Sequence, residues 1–202
     1  MTFETNELNG IRQFYDNNNK ITGQISYLHD QRDGQASTTD PDGSLLYTVN
    51  YNEGEPVGYS YIGKDGKPVP EIRAMSGKLE LNSFFQNGMP SRKCQFVDNK
   101  LNGADILYYA NGKLRSQDYS EFGILMGPSS EYYPNGNLKR ICKYHNDHLH
   151  GQCLEYNEQG VLVRELNYYN NLKHGESKYY SEKGELLETR FYFNDFLLEI
   201  KK

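Results

Sequence analysis

A 24-residue period governs this chain. Glycines stand at positions 10, 34, 58, 103, 127, 151 and 175, so the intervals are 24, 24, 45, 24, 24 and 24. The 45 resolves into 21 plus 24 if Leu79 takes the place of a glycine, which gives eight repeats starting at 10, 34, 58, 79, 103, 127, 151 and 175. A fixed internal period constrains architecture before any local motif does, because each repeat buries its apolar face only against its neighbours. Residues 1–202 therefore read as a single repeat domain, with one irregular repeat at 58–78.

Each repeat opens with a short segment ending in Tyr, passes through a turn such as Asn135-Gly136, and continues with Leu and a longer segment ending in an aromatic. A second polar turn leads to the next marker glycine. Two turn signals in 24 residues leave segments of strand length. Asp42-Gly43, Asn87-Gly88, Asn111-Gly112 and Asn135-Gly136 are hairpin dipeptides, since glycine accepts the positive φ of the turn. A three-residue loop with a bulged glycine, Pro134-Asn135-Gly136, would pair Tyr132 with Leu138.

That register places Tyr132, Leu138, Cys142 and Tyr144 on one face. Their equivalents are Tyr156, Leu162, Leu166 and Tyr168, then Tyr15, Ile21, Ile25 and Tyr27, and Leu45, Val49 and Tyr51. The opposite face is mostly polar, the mark of an antiparallel sheet. The expected fold is all-β: an elongated, twisted antiparallel β-meander of about eight 24-residue β-hairpin repeats, folded over its Tyr/Leu face. Thr2–Asn9 and Phe191–Lys202 are the candidate caps of the stack. Pro68 and Pro70 place a kink, edge or loop in the irregular repeat. Asp118 and Ser120 at inward positions point to a one-residue slip or bulge in the repeat from 103.

Composition narrows the function. There are 18 Tyr and no Trp, so amphipathic Tyr supplies much of the packing surface. Net charge is −5, and residues 1–78 alone carry 7 Lys/Arg against 11 Asp/Glu. That balance argues against nucleic-acid partners and mildly against anionic membranes. Three cysteines are too few for a disulfide scaffold. Cys142 and Cys153 fall on successive strands, but the odd count favours reduced thiols, with Cys94 and Cys142 as small core residues. The first residues show no basic and apolar leader, so the chain as given reads as cytoplasmic; a leader removed upstream would make it periplasmic or envelope-bound.

The chemistry-bearing residues mostly serve structure. His145, His148, His150 and His174 are metal-like in type, yet His150 and His174 are repeat equivalents preceding marker glycines, so no metal site is expected. Asp30/Asp33, Asp40/Asp42 and Glu53/Glu55 sit at turns, where carboxylates bind their own backbone. No enzyme motif appears, and neither catalysis nor a cofactor is expected. One feature stands out on the polar face. Phe85, Tyr109 and Tyr133 precede the turn in three successive repeats, with Ile141 nearby, and such an exposed apolar stripe is a candidate partner-binding surface.

The segments YYPNGNLK, YYANGKLR and YYSEKGELL, with the links HNDHLHG and NNLKHG, resemble the MORN-repeat variant found in bacteria, well over residues 79–200 and loosely over 10–78. Asn19 replaces the turn glycine in the first repeat. Proteins of this arrangement are often grouped with YwqK-type antitoxins. The resemblance thus implies a non-enzymatic protein that neutralises a toxin by binding it, acting as an antitoxin or immunity protein. Its alternative implication is a structural or membrane-associated scaffold.

Overall fold

The computed structural model describes residues 2–4, 7–40 and 43–202. The chain divides into two compact units, Met1–Leu101 and Asn102–Lys202. The first carries β1 (Thr2–Glu4), β2 (Glu7–Tyr15), β3 (Ile21–Leu28), β4 (Gln31–Thr39), β5 (Leu45–Asn52), β6 (Glu55–Tyr61), β7 (Ile72–Arg73), β8 (Lys78–Phe84), β9 (Pro90–Val97) and β10 (Lys100–Leu101). The second carries β11 (Gly103–Tyr108), β12 (Leu114–Glu121), β13 (Ile124–Leu125), β14 (Gly127–Tyr132), β15 (Leu138–His145), β16 (His148–Tyr156), β17 (Leu162–Tyr169), β18 (Leu172–Lys173), β19 (Gly175–Tyr180), β20 (Leu186–Phe193) and β21 (Phe196–Lys201). Among the described residues there is no helix, and the strands pair as antiparallel hairpins without closing into a barrel.

Two turns alternate along the chain. The Asn-Gly type is the expected three-residue loop: Tyr132 pairs with Leu138, Tyr133 N–H donates to Asn137 O at 2.8 Å, and Gly136 sits at φ +93°. Tyr15 with Ile21, Tyr156 with Leu162 and Tyr180 with Leu186 repeat that register. Asn19 fills the glycine position at φ +63°, a conformation Asn tolerates better than most residues. Asp42 lies outside the described residues, as do Thr5 and Asn6 of the expected N-terminal cap.

The second turn is tighter than its polar sequence suggests. His29-Asp30, Glu53-Gly54, Asn146-Asp147, Asn170-Asn171 and Asn194-Asp195 each hold two central residues at positive φ between directly paired strand ends. This is the mark of type I′ hairpins, whose twist matches that of the strands. The turn is also bolted to the preceding repeat. Asp147 donates its N–H to Leu125 O at 3.1 Å and accepts Leu125 N–H on Oδ1 at 2.8 Å. Asn171 does the same with Leu149, and Asp195 with Lys173.

The marker glycine is explained by counting between turns. The loop positions 19, 43, 66, 88, 112, 136, 160 and 184 each precede a tight turn by ten residues. From turn to next loop the distance is fourteen, except thirteen from 53 to 66 and twelve from 76 to 88. In the regular repeats the surplus forms a bulge: Cys142 pairs with Cys153 but Tyr144 pairs with Leu149, and Gly151, inside the bulge, takes φ +99°. Gly58 stands in a shorter strand with negative φ, and at Leu79 no bulge requires a glycine.

In the N-terminal unit, Tyr47, Val49, Tyr51 and Tyr59 of β5 and β6 pack with Leu79, Leu81, Cys94 and Phe96 of β8 and β9 as one core. The irregular repeat makes this possible. Its second strand shrinks to Ile72–Arg73, as the prolines imply, and β8 pairs only with β9 within this unit. The Tyr59 hydroxyl replaces the missing ladder there, accepting Asn82 N–H at 3.1 Å and donating to Asn82 O at 3.3 Å. The buried Ser83 and Ser91 hydroxyls satisfy each other at 2.8 Å.

In the C-terminal unit the core is Cys142, Cys153 and Leu166, flanked by Tyr144, Leu149, Tyr168 and Tyr179. Three expectations need correction. Tyr15 and Ile21 of the first repeat are exposed rather than covered. The slip expected near Asp118 is absent: Asp105 pairs with Asp118 and Gly103 with Ser120, so these polar residues occupy inward positions outright. Cys142 and Cys153, directly opposite on β15 and β16, are joined in a disulfide, whereas Cys94 is buried and forms none.

Candidate protein interface

The stripe expected from sequence falls on both units, so its members are described separately. Phe85 is half-buried at its loop, with its N–H donating to Met89 O. In the C-terminal unit, Tyr109 and Tyr133 are half-buried, and their hydroxyls donate to Tyr132 O at 2.6 Å and Tyr156 O at 2.8 Å. They therefore tie each hairpin loop to the next, alongside Asn111 and Asn135, whose amides reach Pro134 O and Glu158 O. Ile141 is half-buried between Ser130 and Leu154.

The carboxylates at turns do similar work. Asp30 accepts Leu8 N–H, Asp33 accepts Glu53 N–H, and Asp40 accepts the N–H groups of Gly43 and Ser44. Among the described residues no three His, Cys, Asp or Glu side chains converge as metal ligands.

The histidines belong instead to a ladder of rings. Centroids lie 6.0 Å apart from His145 to His150, 5.1 Å from His150 to Tyr169, 5.9 Å from Tyr169 to His174, and 5.2 Å from His174 to Phe193. Two repeat positions build it. His145, Tyr169 and Phe193 end their strands just before the tight turn, and His150 and His174 precede marker glycines. The bulge at each glycine brings the second set between members of the first. Tyr169 and Phe193 are more than half exposed. The ladder ends at Phe193, which pairs with the exposed Phe196 of β21, where Leu197, Leu198 and Ile200 are exposed as well. The expected C-terminal cap thus pairs through β21 but leaves its own apolar side chains in solvent.

The inward face, which carries the core residues Cys142, Cys153 and Leu166, also bears a charged row beside them. Glu131, Arg140, Glu155, Arg164, Tyr179 and Glu188 lie directly opposite one another across β14, β15, β16, β17, β19 and β20. Glu155 bridges Arg164 at 2.9 Å and Arg140 at 3.7 Å, and Arg140 Nε also lies 3.3 Å from Cys153 Sγ. Arg190 pairs with Glu188 and stacks over the Tyr179 ring at 4.4 Å. Burial, followed by the hydrogen bond to Tyr192, pushes the Tyr179 phenol up to about 12. Burial also raises Tyr192, but the hydrogen bonds from Tyr179 and Arg190 and the nearby Lys173 charge outweigh it, leaving Tyr192 below the ordinary phenol value. The members are repeat equivalents, Glu131, Glu155 and Tyr179 at one position and Arg140, Arg164 and Glu188 at another, but only the pairing of the strands brings the two positions together.

No curated protein matches the chain. MORN repeats in general mediate protein or membrane interactions. The strong match expected over 79–126 does not appear among the matched segments, whereas the first repeat, expected to fit loosely, does match. The family model of the MORN repeat variant matches four segments of this chain, residues 8–29, 127–146, 149–171 and 173–194, each spanning most of one hairpin.

Proposed function

We propose that this chain is a non-enzymatic protein-binding repeat protein, and that it acts as an antitoxin or immunity protein that neutralises a protein toxin by occluding it. The observation that supports binding is the ring ladder from His145 to Phe193, with Tyr169 and Phe193 more than half exposed and the exposed Phe196 of β21 paired opposite Phe193. Exposed apolar surface of this kind marks protein contacts, and aromatic residues are favoured at their energetic centres. Phe85, Tyr109, Tyr133 and Ile141 remain proposed secondary contacts. The acidic balance of residues 1–78 would steer a basic partner surface. The Cys142–Cys153 disulfide favours an oxidising compartment such as the periplasm over the cytoplasm.

The test is capture of a partner from the native cell by the full chain, identification by mass, and coexpression to ask whether the chain relieves that partner's toxicity. Changing Tyr169 and Phe193 together to Ser should weaken capture at least about tenfold while leaving the fold intact, since two central aromatics commonly carry more than 1.4 kcal/mol. Unchanged capture would remove the ladder as the interface. A captured protein with no toxicity, or partition of the chain with membranes, would favour the scaffold reading instead.

A further inference from the structure

Beside its core, the inward face of the C-terminal unit carries a recess of about 490 Å³ lined by Glu155, Arg164, Leu166, Tyr168, Lys173, Tyr179 and Arg190. Three cations face one carboxylate there. That carboxylate, Glu155, is shared between Arg164 and Arg140, so one guanidinium charge is left over. Lys173 adds another, with the Asp195 carboxylate beside it bound to the Lys173 backbone N–H at 2.8 Å rather than to the ammonium. The ammonium lies over the Tyr192 ring at 5.3 Å and makes no ion pair among the described residues. Glu188 offsets Arg190 alone. The local surplus is positive in a unit where residues 102–202 hold 12 Lys/Arg against 14 Asp/Glu.

We infer that this recess docks an acidic, extended peptide segment of a protein partner, with Arg164 and Lys173 receiving its carboxylates and Tyr168 and Tyr179 supporting its backbone. The inference rests on the protein-binding reading above and specifies the chemistry of one partner segment. Charge complementarity selects the occupant. A membrane or nucleic acid presents a broad anionic plane, which would meet the surplus of carboxylates on the rest of the unit. A short segment meets only the recess. The cross-strand row extends the site over six strands, about 24 Å at the spacing of a sheet, which suits an extended segment of about seven residues. The two sides of the sheet would then grip different parts of one partner, apolar on the ladder and acidic on the row.

The probe is a fluorescein-labelled decapeptide of alternating Glu and Ser, followed by anisotropy with the full 202-residue chain at low salt. Binding should weaken as salt rises. The Gln/Ser counterpart should bind at least about tenfold more weakly, as should the peptide to the double variant Arg164→Gln, Lys173→Gln. Both side chains are accessible enough for these changes to leave the thermal transition in place, and Lys183→Glu, on an exposed loop, should leave affinity unchanged. Equal binding of the Glu and Gln peptides, or full affinity in a folded double variant, would overturn the inference. So would displacement by equimolar inorganic phosphate, or recruitment to phosphatidylserine vesicles that depends on Arg164 and Lys173, since these would assign the recess to a free anion or a lipid headgroup. Partner capture that persists while the acidic peptide fails to bind sinks this inference alone; loss of all partner capture sinks the function reading.

Discussion

Ser177 is fully buried on β19 and its hydroxyl has no hydrogen-bond partner among the described residues. Leaving such a group unsatisfied costs about 1–3 kcal/mol, so Ser177→Ala should stabilise the protein by about 1 kcal/mol in urea unfolding after the loss of packing is counted. The Tyr179 phenol makes a different prediction. Its value rises from the ordinary 10 to about 12 in the fold, so between these pH values the unfolded chain releases a proton that the folded chain keeps. The folded state then binds more protons, and stability falls as pH climbs through that window. Tyr179→Phe should flatten the fall, read from melting temperatures at stepped alkaline pH. Neither residue announces itself in sequence. Ser177 occupies an inward position between Leu166 and Arg190 on the neighbouring strands, and only packing shows that its hydroxyl bonds to neither. Inward Cys94, Cys142 and Leu166, by contrast, were legible from alternation alone.

Among the elements, the tight turns hold the stack together. Asn171 sits at φ +69°, and its side chain and backbone both bond Leu149. Asn171→Ala removes the side-chain acceptor and puts Ala in the left-handed region, for a loss of about 2 kcal/mol. Asn171→Gly keeps the backbone at ease and loses only the acceptor, so it should cost less. Equal losses in denaturant midpoint for both variants would show that the turn is insensitive to φ. The Asn-Gly loops and the Tyr–Leu register were readable because turn chemistry and strand alternation are local rules. The tight turns were harder to read, since Asn-Asp and Asn-Asn look like any solvated link until the strand ends are seen to pair. Tyr109 and Tyr133 show the same limit: an aromatic before a loop reads as an exposed stripe, while the hydroxyl bonds to the next repeat appear only once the hairpins are stacked.

At the scale of the whole molecule, the two units bury their faces differently. The N-terminal unit closes one core from β5, β6, β8 and β9, and the C-terminal unit runs as regular repeats clasped by Cys142–Cys153. The bridge spans a sequence separation of 11. Loop-closure entropy puts its contribution at about 3 kcal/mol. Reduction should lower the unfolding midpoint accordingly, and Cys142→Ser with Cys153→Ser should abolish the sensitivity to reductant; a midpoint indifferent to reductant would mean the bridge adds no stability. Sequence by itself determined the all-β class, the repeat count, the loop register and the inward face, because each follows from rules acting within one repeat. Tertiary structure alone decided why the glycines recur, how the shortened strand frees β8, and which side chains meet across strands. The ring ladder joins residues of successive repeats through a bulged register and the arginine row through directly opposed pairs, and such contacts depend on how each strand lies against the next rather than on the period that both share.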